Sequence, residues 1–286
     1  MKKQQIILAG CAFILLAILY FLGDTIPHKK NTNSITKENI SDRKPFNILQ
    51  HIQKLKIQLS TLQLNAVEKL EKSINQPDAL TKLNAYRTLA AFWKDSLHFF
   101  EPYAYYTVLA AKLENSEKSM TFAANLLLSD LPSEPNGPLK TWLANESKQL
   151  FEKVLFINPN NDSLSIGLGA SFIYGATVDH PEEAMKGIQR ILVVARKDSL
   201  NMYAQFMLGV GGLASGRYEK AINRFLTVLN HEPTNIEAML SLAEAYELSG
   251  DKANAITWYS MGVKNITIPD VKKELETRIN QLKSNQ

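Results

Sequence analysis

The strongest constraint in this 286-residue chain is a spacing of 34 residues near its end, which joins Gly216 to Gly250, Ala221 to Ala255 and Phe225 to Tyr259. Around those pairs stand Leu208, Gly209, Tyr218 and Pro233 in one period and Leu242 and Tyr246 in the next. A fixed period of this length marks a supersecondary unit that cannot bury its apolar face alone and is completed by stacking on its neighbours. Such an array presents surface, so the sequence points to a scaffold and away from a catalyst.

Glycine is scarce, at 13 residues, and Leu, Ala, Lys, Glu, Asn and Ser dominate between 11 prolines, so helices are expected throughout. A formal charge of +4 is too small to argue for nucleic acid. Residues 1–75 hold eleven Lys or Arg against five Asp or Glu, which places the basic excess near the start of the chain and off the repeats.

After a short tail, residues 1–5, the stretch 6–22 carries no charged side chain. At about 1.5 Å per residue it reaches roughly 25 Å, the short end of a bilayer core. Its exit, Tyr20-Phe21-Leu22-Gly23-Asp24, lacks the small-x-small spacing of a cleavage site, which favours a retained transmembrane anchor over a cleaved signal. Leu8-Ala9-Gly10-Cys11 resembles a lipoprotein box. Eleven further residues of the run follow Cys11, however, so that residue reads more simply as a small apolar helix residue. As the only cysteine, it excludes disulfides within one chain.

Lys2 and Lys3 before the run favour a cytoplasmic N-terminus, with the rest outside the cytoplasm, in a periplasm if the membrane is the inner one of a two-membrane envelope. Lys29 and Lys30 at the other end weaken that contrast. Residues 23–45 read as a flexible basic stalk.

Residues 46–115 form an N-terminal helical region. The spacing predicts one long helix over 46–75, with Ile48, Ile52, Leu55, Leu59, Leu62 and Ala66 on one stripe and Ile57, Leu64 and Val67 on a second. The second stripe argues for burial on two sides, with self-association through a coiled coil as the alternative. A helix from Pro77 to about Phe100 and another from Tyr103 to about Asn115 follow, and the aromatic cluster Trp93, Phe99, Phe100, Tyr103, Tyr105 and Tyr106 reads as core under the bend between them.

Helices then pair over residues 116–266: 116–130 with 138–157, a helix after Pro159 with one from Pro181, 202–214 with 218–231, and 236–248 with 252–263. A polar cap at 270–283 falls within the last segment, 267–286.

Together these residues resemble the tetratricopeptide-repeat family, in its membrane-anchored bacterial form, whose pattern is Trp-x2-Leu-Gly-x2-Tyr, then Ala-x3-Phe, then Pro. The match is strongest over 201–266 and fades toward the start of the chain. Departures are Gln205 and Met239 in the tryptophan place, Gly212 in a tyrosine place, Thr267 where proline is expected, and an insertion within 176–186. The resemblance implies an all-α, right-handed solenoid of helix hairpins, in which Gly209 and Ala221 permit close approach, Phe225 fills the space between one pair and the next, and Pro233 ends a helix.

It also implies a concave groove lined by the first helix of each pair. Carried onto this sequence, the lining is Ser163, Ile166, Ala170, Ile173 and Tyr174, then Tyr203, Phe206, Val210, Leu213 and Ala214, then Glu237, Leu240, Glu244, Glu247 and Leu248. The partner so implied is a protein or peptide, an amphipathic helix or extended apolar segment with a basic group near Glu244 and Glu247. The competing reading is that the chain's own N-terminal helices fill the apolar part.

No signature of a phosphate loop, zinc protease or nucleophile elbow occurs, and no cofactor or metal is expected. Asp179, His180, Glu182 and Glu183 around Pro181 suit a helix start better than a metal or acid–base site. The expectation is a membrane-anchored, non-catalytic adaptor in cell-envelope assembly, secretion or maturation. A structural oligomer organised by 46–75 is the alternative, and an enzyme is the third reading.

Overall fold

The structure, a computed structural model, describes residues 46–135, 137–177 and 180–284. The span expected at 6–22, the stalk at 23–45 and Asp179 lie outside them. Among the described residues no helix is long and apolar enough to cross a membrane. The described elements, in chain order, are α1 (Ile48–Lys56), α2 (Thr61–Ile74), α3 (Ala79–Ala91) running into a π-turn (Phe92–Ser96), α4 (Phe100–Glu114), α5 (Glu117–Asp130), α6 (Gly137–Ile157) and α7 (Asp162–Gly175). They continue as α8 (Pro181–Lys197), α9 (Met202–Ala214), α10 (Tyr218–His231), α11 (Ile236–Ser249), α12 (Lys252–Val263) and α13 (Pro269–Ser284).

Four hairpins, α5/α6, α7/α8, α9/α10 and α11/α12, stack so that α5, α7, α9 and α11 lie side by side. Three of those first helices begin the same way. Asn161, Asn201 and Asn235 each accept a hydrogen bond from the backbone N–H three residues on, at 3.1, 2.9 and 2.9 Å. This satisfies one of the donors that a helix start leaves open. Between the two helices of a hairpin, Gly216 and Gly250 hold φ of +68° and +90°, with nothing near an added Cβ, so backbone conformation and not space demands glycine there.

Close approach within the hairpins differs in detail from the expectation. A Cβ on Gly209 would meet the ring of Phe225 at 2.5 Å, while Ala221 sits 3.0 Å from the place of a Cβ on Gly212. Phe225 also packs on Phe206, with ring centroids 5.6 Å apart, and so fills its own hairpin in addition to any role toward the next. Gly212, a departure from the family pattern, is thus the partner that lets Ala221 come close. The tightest approach lies one hairpin earlier, where a Cβ on Gly187 would strike the carbonyl oxygen of Gly169. Gln205, in the tryptophan place, is buried but satisfied: it donates to the Ser199 carbonyl at 2.9 Å and accepts from Arg224 at 2.5 Å. The inserted residues begin with a short antiparallel bridge between Thr177 and His180, after which Pro181 opens α8.

The single helix expected over 46–75 is corrected. It breaks at 57–60, because Ser60 accepts from Gln63 N–H while the Gln63 side chain accepts from Ser60 N–H, a reciprocal cap that starts α2. The break changes which face is buried: Ile48, Ile52, Leu55 and Val67 are inside, whereas Ile57 and Leu62 are 84% and 83% exposed. Helix α1 packs on α4 and α2 packs on α3. A polar link joins them, with Lys56 Nζ donating to Glu71 Oε2 at 2.5 Å and the Tyr106 hydroxyl to Glu71 Oε1 at 2.8 Å. The aromatic cluster is core: Trp93 is fully buried, edge-on to Phe99 at 5.9 Å. Its indole Nε1 is a buried polar atom with no partner.

Candidate concave groove

The first helices of the hairpins leave a groove of about 550 Å³ lined by Asn125, Leu128 and Ser129 of α5, Pro132, Tyr174 of α7, Met202, Tyr203, Phe206 and Met207 of α9, Glu232 at the end of α10, and Asn235 and Glu237 at the start of α11. None of the N-terminal helices α1–α4 contributes to it. Most of their buried apolar side chains form a cluster of their own, while Ala104, Val108 and Ala111 of α4 join the core of the repeats. The self-filling alternative therefore does not describe this groove.

Of the residues carried over from the repeat pattern, Tyr174, Tyr203, Phe206 and Glu237 come together here. Ser163, Ala214, Glu244 and Leu248 are exposed, and Val210, Leu213, Leu240 and Glu247 are half-buried. Ile166, Ala170 and Ile173 are corrected from binding residues to core, with 2% exposure or less. The reason for Ile173 is visible: its side chain points at Gly187 and Gly211, so it lies between α7, α8 and α9. Sequence reasoning missed the contribution of α5, where the repeat pattern is faint, and missed the half-buried Met202, which falls outside the transferred places.

The electrostatics are one-sided. Among the described residues no Lys, Arg or His lines the groove. Burial, then the nearby Glu237 carboxylate, raises the Tyr174 and Tyr203 phenols above their ordinary range. Glu237 as a residue is exposed, yet the groove side crowds its carboxyl and desolvation raises its pKa. Burial and then Glu247 raise Glu244 in the same direction. Glu247 is not free for a partner, as it had been read: Arg278 of α13 grips both its oxygens, and the Tyr259 hydroxyl donates to it at 3.2 Å.

The cluster at the start of α8 is dispersed into ion pairs. His180 lies 3.1 Å from Glu182, and Glu183 accepts from Lys186 at 2.6 Å and Lys148 at 3.1 Å. Lys186 and Lys148 hold the Glu183 carboxyl below its ordinary value. Among the described residues no group of three or more His, Cys, Asp or Glu could hold a metal ion.

Stacked hairpins with an open concave face define a helical-repeat solenoid. Residues 212–265 match the tetratricopeptide repeat family. No curated protein matches the chain by sequence. Among solved structures it is similar to TTC0263, a thermophilic tetratricopeptide protein of Thermus thermophilus, at a TM-score of 0.51 and 14% identity over 70% of this chain and 98% of that one. Looser likenesses are PilW, a type IV pilus biogenesis factor (TM-score 0.48, 16% identity, 71% and 86% of the two chains), and YrrB, a repeat protein with an unusual peptide-binding site (0.42, 16%, 74% and 99%). The first overlay establishes shared architecture, and the looser two carry no weight for function.

Proposed function

We propose that this chain is a non-catalytic scaffold whose concave groove holds a segment of a partner protein, with residues 6–22 tethering it as a single-pass anchor. On this reading the N-terminus is cytoplasmic, the repeats stand in the periplasm, and the partner belongs to cell-envelope assembly, secretion or maturation. The observation that carries the binding role is the groove itself: Tyr203 is 48% exposed beside Tyr174, Phe206 and Leu128, and the described helices leave it uncovered. An apolar concavity with a few polar groups on its rim is where a repeat protein gains affinity for a segment of another chain.

A photoreactive phenylalanine placed at Tyr203 in the full chain, in cells, is expected to give one discrete adduct, and the same group at Glu219, exposed on the second helix of that hairpin, none. Equal labelling at the two positions would count against the groove. Alkaline extraction of membranes tests the tether separately: the full chain is expected to stay in the pellet, and its release would remove the anchor from the reading. The unbroken helix on which the oligomer alternative rested is not formed.

A further inference from the structure

We propose, on the groove reading above, that the partner segment carries a lysine or arginine whose cationic end docks beside Tyr174 and Tyr203 against the Glu237 carboxylate, with apolar residues flanking it. The acidic pair read from sequence lies outside this lining, and Arg278 already neutralises Glu247. Glu237 lines the groove: among the described residues its carboxylate makes no hydrogen bond or ion pair, and its charge is felt by both phenols. The other carboxylate on the rim, Glu232, accepts only from the neutral amide of Asn235, at 2.8 Å. Among the described residues the lining holds two carboxylates and no Lys, Arg or His to balance them.

Such a site repels an anionic segment and gives a neutral one nothing in return for desolvating Glu237. A cation does both jobs: it pairs with the carboxylate and lies on the electron-rich faces of two aromatic rings. Leu128, Phe206 and the half-buried Met202 then receive apolar neighbours of the basic residue, and methionine adapts to more than one side-chain shape.

The test is selection of a random peptide library on the full chain in detergent, run in parallel on Glu237→Gln and Tyr203→Ala variants with circular dichroism as the folding control. The expected result is enrichment of peptides with one Lys or Arg among apolar residues, about tenfold weaker on Glu237→Gln. Replacing that basic residue by norleucine should abolish the difference between wild type and Glu237→Gln. Enriched peptides that lack a basic residue, or that bind both proteins alike, would overturn the cation site while leaving the groove intact if Tyr203→Ala still loses them. Enrichment untouched by Tyr203→Ala, or none at all, would sink the groove reading itself and this inference with it.

Discussion

At the scale of single residues, contacts between helices in the repeats are set by what a methyl group would strike. Gly187 faces the backbone oxygen of Gly169, which cannot rotate away as a side chain can. Replacing Gly187 by valine is therefore expected to cost about 3 kcal/mol, the upper end of overpacking, and Gly209→Val less, since the Phe225 ring can give. The exposed Lys220→Ala should stay within about 0.5 kcal/mol. Thermal melts of the three variants check the order. Titration gives a second prediction. Because crowding raises the Glu237 carboxyl, the folded chain holds that proton more tightly than the unfolded chain does. The stability linked to this group is thus present below the unfolded value and is lost as pH rises through the folded one. Glu237→Gln is expected to raise Tm at neutral pH and to change nothing well below about pH 4, the ordinary glutamate range. A variant that lowers Tm at pH 7 would show that the carboxylate is already paired.

At the scale of elements, legibility followed the strength of local signals. The asparagines ahead of α7, α9 and α11, the left-handed glycines and the prolines are readable one by one, and the repeats of 202–263 follow from them. The break at 57–60 was written in the chain as Ser60 and Gln63, three apart, but the continuous apolar stripes on either side masked it. Ser60→Ala is expected to cost about 1 kcal/mol and to speed amide exchange over the first turn of α2. The Lys56–Glu71–Tyr106 link joins residues 15 and 35 apart, a separation that periodicity cannot reveal. Lys56 is 9% exposed at its side chain. Glu71→Ala would strand that ammonium and is expected to destabilise by about 3 kcal/mol, the low end for breaking a buried pair, whereas the triple change Lys56→Met, Glu71→Leu, Tyr106→Phe, which also removes the hydroxyl that donates to Glu71, should come back close to wild type. Chemical denaturation of both variants decides it.

At the scale of the whole molecule, the fold class was legible and the groove only in part. Of the places transferred from the motif, Tyr174, Tyr203, Phe206 and Glu237 line the groove. It could not tell that the same transfer put Ile166, Ala170 and Ile173 inside, because their burial comes from how closely the first helices stack, and glycines of neighbouring elements set that distance. Nor could it see that α13 reaches back to take Glu247 with Arg278. That last contact belongs to a cap. A repeat stack leaves the outer face of its last unit bare unless something covers it. Helix α13 buries Ile279 and Leu282 against α12 and turns Lys272, Lys273, Glu276 and Gln281 outward. A chain cut before Pro269 bares Tyr259 and Val263 and is expected to self-associate with concentration more strongly than the parent, which sedimentation checks.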